Sequence, residues 1–208
     1  MEALERIVGR SVSAGQRGRM SDEELVFLVR RGDYTAFETL YERHRTTVYR
    51  FVYQMVPRRD DAEDIVQEAF VRAYQNIDRY RDQARFTTWL LRISANLSTD
   101  FCRTMSRRQS LEQKEANAAL DWMTIGKVED PIYNLEQDRT HLALRAAIMA
   151  LPSNHRIAFV LRDVESKGYS EIAEILGCSV GGAKLRVLRA RRALRTKLVP
   201  LIGDDHDV

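Results

Sequence analysis

Two cysteines in 208 residues, Cys102 and Cys178, stand far apart, and neither belongs to a Cys-x-x-Cys pair. That argues against a disulfide framework or a structural zinc site and leaves two buried free thiols as the expectation. No apolar run approaches the ~18–20 residues that span a bilayer, so no direct membrane insertion is expected. The opening stretch MEALERIVGRSVSAGQRGRM lacks a continuous apolar core and carries acids early. It does not look like a secretion signal, and the expected compartment is the cytoplasm. The most telling scarcity is local: from Cys178 to Gly203 there are seven Lys or Arg and neither Asp nor Glu. The formal net charge is only +3, so the rest of the chain, with 26 basic against 30 acidic side chains, is about −4. An acidic body with a basic end predicts two unlike surfaces and two unlike partners.

What the chain has in abundance is helical periodicity. Ser21 with Glu24 three residues on forms a capping box that starts a first helix, and Gly32-Asp33-Tyr34 interrupts it. Further helices are expected over about 34–56, 61–77 and 85–106, each with an apolar stripe. These four can share a core, which makes 21–107 one helical domain. Residues 1–20 read as a disordered extension. The pattern dissolves over 108–133, a polar stretch ending near Pro131 that reads as a flexible linker, although Trp122, Met123 and Ile125 are unusual in a solvated tether. A second helical domain spans 134–202, with a short tail at 203–208. The expected fold is therefore all-α: two small helical domains joined by a flexible linker, the C-terminal one a helix-turn-helix.

In GYSEIAEILGCSVGGAKLRVLRARRAL (168–194), Ser170 is placed to cap a short helix, Gly177 to supply a positive φ, and Cys178-Ser179 to lead into a second helix. Val180, Ala183, Val187, Ala190, Leu194 and Leu198 fall on one stripe, the face that packs on the domain. Lys184, Arg189, Arg192 and Arg195 project elsewhere, with no acid at i±4 to relieve their repulsion. Phosphates would neutralise them; a solvated basic face is the plainer alternative. Leu185 and Leu188 lie among the cations, where they either cover a neighbouring helix edge or touch a thymine methyl.

Two earlier segments carry chemistry of other kinds. Five acids lie between Asp60 and Glu68 with no base among them, and Asp61, Asp64 and Glu68 share a face opposite the apolar stripe. Such carboxylates can bind a metal or transfer protons, but no histidine lies nearby, and acids at a helix N-terminus also suit the macrodipole. In RFTTWLLRISANLSTDFCR (85–103), Phe86, Leu90, Ile93, Leu97 and Phe101 form a core stripe. A second line, Arg85, Trp89, Arg92, Asn96 and Arg103, joins cations, an indole and an amide. That set suits unstacked nucleic acid: guanidiniums hold phosphates, the ring stacks, and the amide reads a base edge. The alternative is that Trp89 finishes the core and Asn96 is an ordinary polar residue.

DAEDIVQEAFVRAY, FTTWLLRISANL, a polar linker, LPSNHRIAFVLRDVESKGYSEIAEILG and KLRVLRARRAL stand in an order that resembles the extracytoplasmic-function (ECF, group IV) RNA polymerase sigma factors, over roughly residues 21–202. The resemblance implies an initiation factor that recruits core RNA polymerase, meeting its β′ clamp and β flap, and that acts in a stress or envelope response. It implies clamp contact through Asp64, Gln67 and Glu68, with Asp61 compatible. It implies opening of −10 promoter DNA by Tyr80 in the loop and Trp89, Arg92 and Asn96 on the helix. The −35 reader is implied at Lys184, Leu185, Arg186, Leu188, Arg189 and Arg192, though Gly182-Ala183-Lys184-Leu185-Arg186 departs from the family's usual Thr-Val-Lys/Arg-Ser-Arg. An anti-sigma factor is implied as a further partner; no cofactor, metal or catalytic residue is. Two other readings stand beside it: a self-sufficient helix-turn-helix regulator binding a palindrome as a dimer, and a metal-dependent hydrolase built on the carboxylates of 60–68.

Overall fold

The computed structural model describes residues 14–81, 84–115 and 135–202, and among them are nine α-helices and no strand. One turn, α1 (Ala14–Arg17), precedes α2 (Asp22–Arg30). The capping box is formed: Ser21 Oγ accepts from Glu24 N at 3.2 Å, and Glu24 Oε2 accepts from Ser21 N at 2.7 Å. Gly32, at φ 92°, turns the chain, and the Asp33 carboxylate accepts from the amides of Thr35 and Ala36 to open α3 (Tyr34–Tyr53). α4 (Arg59–Gln75) has no side-chain cap; Asp60 and Asp61 sit in its first turn, where the helix dipole favours negative charge. A 3₁₀ turn (Ile77–Arg79) precedes α5 (Phe86–Glu115). Leu25, Val26, Leu40, Val48, Phe51, Val52, Ile65, Phe86 and Leu90 meet in one core, none more than 7% exposed. Each such side chain contributes roughly 1.5–3 kcal/mol.

α5 passes Ser106, where the sequence reading ends it, and continues to Glu115. The stretch RRQSLEQKE holds no glycine or proline and is rich in good helix formers, so nothing in it stops the helix. Trp122, Met123 and Ile125, like the tail 203–208, lie outside the described residues. Residues 15–20, expected in a disordered extension, are tied down. Arg17 pairs with Asp33 at 3.5 Å, and Arg43 donates to Gly18 O and Met20 O.

The C-terminal half comprises α6 (Leu135–Met149), α7 (Ser153–Phe159) running into a π-helical turn (Val160–Val164), α8 (Tyr169–Leu176) and α9 (Val180–Ile202). α8 starts earlier than expected. Gly168, not Ser170, is its N-cap, because Glu171 Oε2 reaches back to accept from Gly168 N at 3.0 Å. Gly177 takes the left-handed conformation (φ 58°, ψ 44°) that the sequence predicts for the turn.

The two halves share an interface built on three arginines. Arg156 on α7 is 7% exposed; its guanidinium donates to Met55 O at 2.8 Å across the divide, and to Leu151 O at 3.0 Å and Met149 O within its own half. Arg145 on α6 lies 4.1 Å over the Tyr53 ring and donates to the carbonyls of Val56 and Pro57. Arg50 pairs with Glu165 at 2.9 Å. Met55, Val56 and Pro57 follow the end of α3, where carbonyls lack helical partners and seek donors elsewhere. α5 packs against α4 on one side and α8 on the other. Its buried surface is therefore wider than one stripe: Leu91, Ser94, Ala95 and Ser98 are buried beside Phe86 and Leu90, while Ile93, Leu97 and Phe101 are only partly covered.

Candidate protein and nucleic-acid interfaces

On α4 the apolar positions Ala62, Ile65, Val66, Ala69 and Phe70 face the core, which turns Asp64, Gln67 and Glu68 outward as exposed side chains. Local arginines compensate part of the acidic run. Arg58 approaches Asp60 at 3.4 Å, Arg59 meets Glu63 at 3.1 Å, and Arg72 meets Glu68 at 2.6 Å. Asp64, between them, makes no ion pair among the described residues. Asp61 is tucked in, its side chain only 18% exposed. Burial pushes its carboxyl pKa above the ordinary range, with Asp64 and Asp60 adding to the effect against the pull of Arg58. The face that the sequence draws from Asp61 to Glu68 is thus fully open only from Asp64 onward. Among the described residues no three His, Cys, Asp or Glu side chains are grouped so as to hold a metal. Beside Gln67 runs an apolar groove of about 710 Å³ between α3 and α4, with Tyr34, Phe70, Val71 and Tyr74 in its lining and Glu38 and Glu42 among its residues. Exposed aromatics next to carboxylates suit a protein partner carrying cations.

The start of α5 brings Trp89, Arg92 and Asn96 onto one side, Arg92 and Asn96 exposed and Trp89 half-buried. Tyr80 does not join them at the surface. It is 2% exposed, its hydroxyl donates to Ala84 O at 2.7 Å, and its ring meets those of Phe86 and Trp89 at 5.6 and 5.4 Å. Of the four residues implied in −10 opening, Tyr80 is thus the one the structure places inside the domain and not on its surface. The ring is enclosed by its own domain and supports Trp89 from behind.

α9 buries Ala183, Val187, Ala190 and Leu194. Val180, expected on the same stripe, is 44% exposed, being the first residue of the helix. Lys184, Arg189 and Arg192 project to solvent, and so do Leu185 and Leu188, 45% and 55% exposed. Both leucines thus keep about half of their surface open among the cations. Arg186 is half-buried, with Nη1 enclosed and without a hydrogen-bond partner. Burial lowers the pKa of His155 on α7, and the nearby charges of Arg189 and Arg186 lower it further. That histidine at the edge of the basic face was not among the residues singled out from sequence. Among the described residues the uncompensated run has one acidic partner after all: Asp163, on the π-helical turn, is bound by Arg191 through Nε at 3.2 Å and Nη2 at 2.5 Å.

The Sigma-70 region 2 family model matches residues 40–108, and the Sigma-70, region 4 model matches 141–194. The ECF RNA polymerase sigma-E factor of Escherichia coli (strain K12) is 33% identical over 187 residues, covering 88% of this chain and 97% of that protein. The chain belongs to the ECF RNA polymerase sigma factors. It is accordingly a promoter-specific transcription initiation factor of two sigma regions, both helical. Solved structures agree in fold. CnrH in complex with the cytosolic domain of CnrY has a TM-score of 0.64 at 24% identity, over 89% of this chain and 99% of that one. RpoE in complex with the anti-sigma factor NepR, from Bartonella quintana, has a TM-score of 0.59 at 24% identity, over 78% and 96%. Among the described residues of this sigma factor no helix is long and apolar enough to cross a membrane.

Proposed function

We propose that this sigma factor divides its work among three helix faces. Asp64, Gln67 and Glu68 on α4, with Asp61 shaping the edge, dock on core RNA polymerase. Trp89, Arg92 and Asn96 on α5 hold a base extruded from the −10 element, with Tyr80 as the support behind Trp89. Lys184, Leu185, Leu188, Arg189 and Arg192 on α9, joined by Arg186, read −35 DNA. One observation carries this reading: two exposed helix faces of opposite charge, one acidic with Asp64 unpaired among the described residues, the other basic and, among the same residues, relieved by an ion pair only at Arg191. The basic face gains counterion-release energy on a duplex, and the acidic face is repelled by one. Extruding a base costs a few kcal/mol, which indole stacking and an amide contact can offset. The polymerase makes the phosphodiester bonds, and the sigma factor does no covalent chemistry in the cytoplasm where it works. An anti-sigma factor, the class of partner bound to RpoE of Bartonella quintana, is the expected restraint.

Transcription in vitro with core polymerase and genomic templates tests the reading. New start sites are expected when the protein is added, and Asp64→Lys with Glu68→Lys is expected to weaken core binding at least ~tenfold. If the protein neither binds core nor adds start sites, the reading is wrong.

A further inference from the structure

What holds the leading end of α5 comes from α2, a helix that precedes the residues matched by the region 2 model. Arg30, the last residue of α2, reaches 47 positions ahead in sequence. Its Nε and Nη2 donate to Ile77 O at 3.3 and 3.1 Å, and Nη2 also donates to Tyr80 O at 2.5 Å. The guanidinium thus fixes both ends of the 3₁₀ turn as a fork on two carbonyls, a geometry that a lysine ammonium cannot copy. Tyr80 passes the constraint on: its backbone is held by Arg30, its hydroxyl by Ala84 O, and its ring lies against Phe86 and Trp89. The other end of α2 makes a second tie. Asp22 Oδ2 accepts from His44 Nε2 at 2.8 Å, and His44 Nδ1 lies 3.3 Å from Thr87 Oγ1, in the first turn of α5. The His44 ring also rests against Phe86, 5.4 Å between centroids.

We propose that Arg30 is a positioning residue for promoter opening: by clamping the carbonyls of Ile77 and Tyr80 it holds the Tyr80 ring against Trp89 and fixes the indole at the angle at which an extruded base stacks on it. The inference rests on the assignment of Trp89 to −10 DNA. A cation spent on two carbonyls, and not on a carboxylate or a phosphate, gains rigidity in the turn without drawing DNA to it. A stacking ring already held in place loses little freedom when the base arrives.

The test uses a Trp122→Phe background, in which Trp89 is the one remaining indole. Acrylamide quenching of Trp89 reports its exposure in the free protein. Permanganate reactivity of −10 thymines reports opening by the holoenzyme, on a duplex promoter and on the same promoter already unpaired across −10. Arg30→Met is expected to increase quenching and to lower duplex opening about tenfold, the loss expected when one stacked base is held poorly. The unpaired template should respond far less, and core affinity should stay within about twofold, since the α4 face is untouched. Arg30→Lys, expected between the two, serves if the methionine variant fails to fold. Unchanged quenching in both variants overturns the proposal, and so does a loss of core binding that parallels the loss of opening. Increased quenching with opening unchanged leaves the clamp standing and overturns the assignment of Trp89 to the −10 element.

Discussion

Burial alone would raise the carboxyl pKa of Asp22, but hydrogen bonds and charge from His44 and Arg43 more than offset it and hold the group below the ordinary carboxylate range. A carboxyl that is more acidic folded than unfolded adds stability above its unfolded pKa and gives it up as pH falls through the folded one. Asp22→Asn should therefore cost about 2 kcal/mol at neutral pH, the loss of charge-assisted bonds. The gap from the parent should close below the ordinary carboxylate range, and urea unfolding over a pH series measures it. A gap as wide at about pH 2 as at neutrality would show that the contribution is not ionic. At this scale sequence reading placed Trp89, Arg92 and Asn96 together on one side of α5 and did not foresee the burial of two other residues of the proposed sites. Tyr80 lies in a loop and carries a stacking ring, so composition favours an exposed role. Its ring is buried against Phe86 and Trp89, and its carbonyl is held by an arginine 50 positions earlier, a contact with no local signature. Arg186 reads as one cation among seven, and nothing in its sequence context marks it as half-buried and close enough to His155 on α7 to lower that group's pKa.

Where elements are concerned, α9 offers the sharper contrast. Arg191 and Arg192 are adjacent on one helix and alike in sequence, yet Arg191 is held by Asp163 while Arg192 is exposed. An arginine already neutralised releases no counterion when DNA arrives, so the two should differ in salt dependence. For promoter DNA bound by the holoenzyme, Arg192→Ala should reduce the slope of log K against log salt by about 0.9, and Arg191→Ala should leave it nearly unchanged. Equal slopes for the two variants would mean that Asp163 lets go on binding. Most elements were legible because their signals are local: the Ser21–Glu24 box, the break at Gly32-Asp33-Tyr34, the turn at Gly177 and the apolar stripes. The π-helical turn was not, since Val160–Val164 reads as ordinary helix and its extra residue per turn answers to packing. The overrun of α5 to Glu115 was missed for the opposite reason: the segment is polar, and polarity was read as linker.

For the molecule as a whole, the joint between the halves sets a constraint on the proposed function. Promoter elements centred at −35 and −10 lie about 25 base pairs, or roughly 85 Å, apart. A chain of this length packed as one body is roughly 45 Å across, so it must open to touch both at once. Arg145→Ala combined with Glu165→Arg removes one contact and sets like charges face to face at another. Energy transfer between dyes on α4 and α9 should fall in that variant, and should fall in the parent when core polymerase is added. Efficiency that stays constant on adding core would mean that the closed arrangement persists in the holoenzyme. None of this joint was visible in the sequence, because Met55 and Arg156 are separated by 101 positions and meet only after both halves have folded.

Around the Arg156 guanidinium lie carbonyl oxygens and, at 3.4 and 4.0 Å, the sulfurs of Met149 and Cys102, in a setting almost closed to solvent. Dissolved ions have little there to screen, whereas they compete directly for the cations of α9. Rising ionic strength would strip DNA from the molecule well before it loosened this seam. Prising the halves apart falls to a competing surface, and the medium has small say in it.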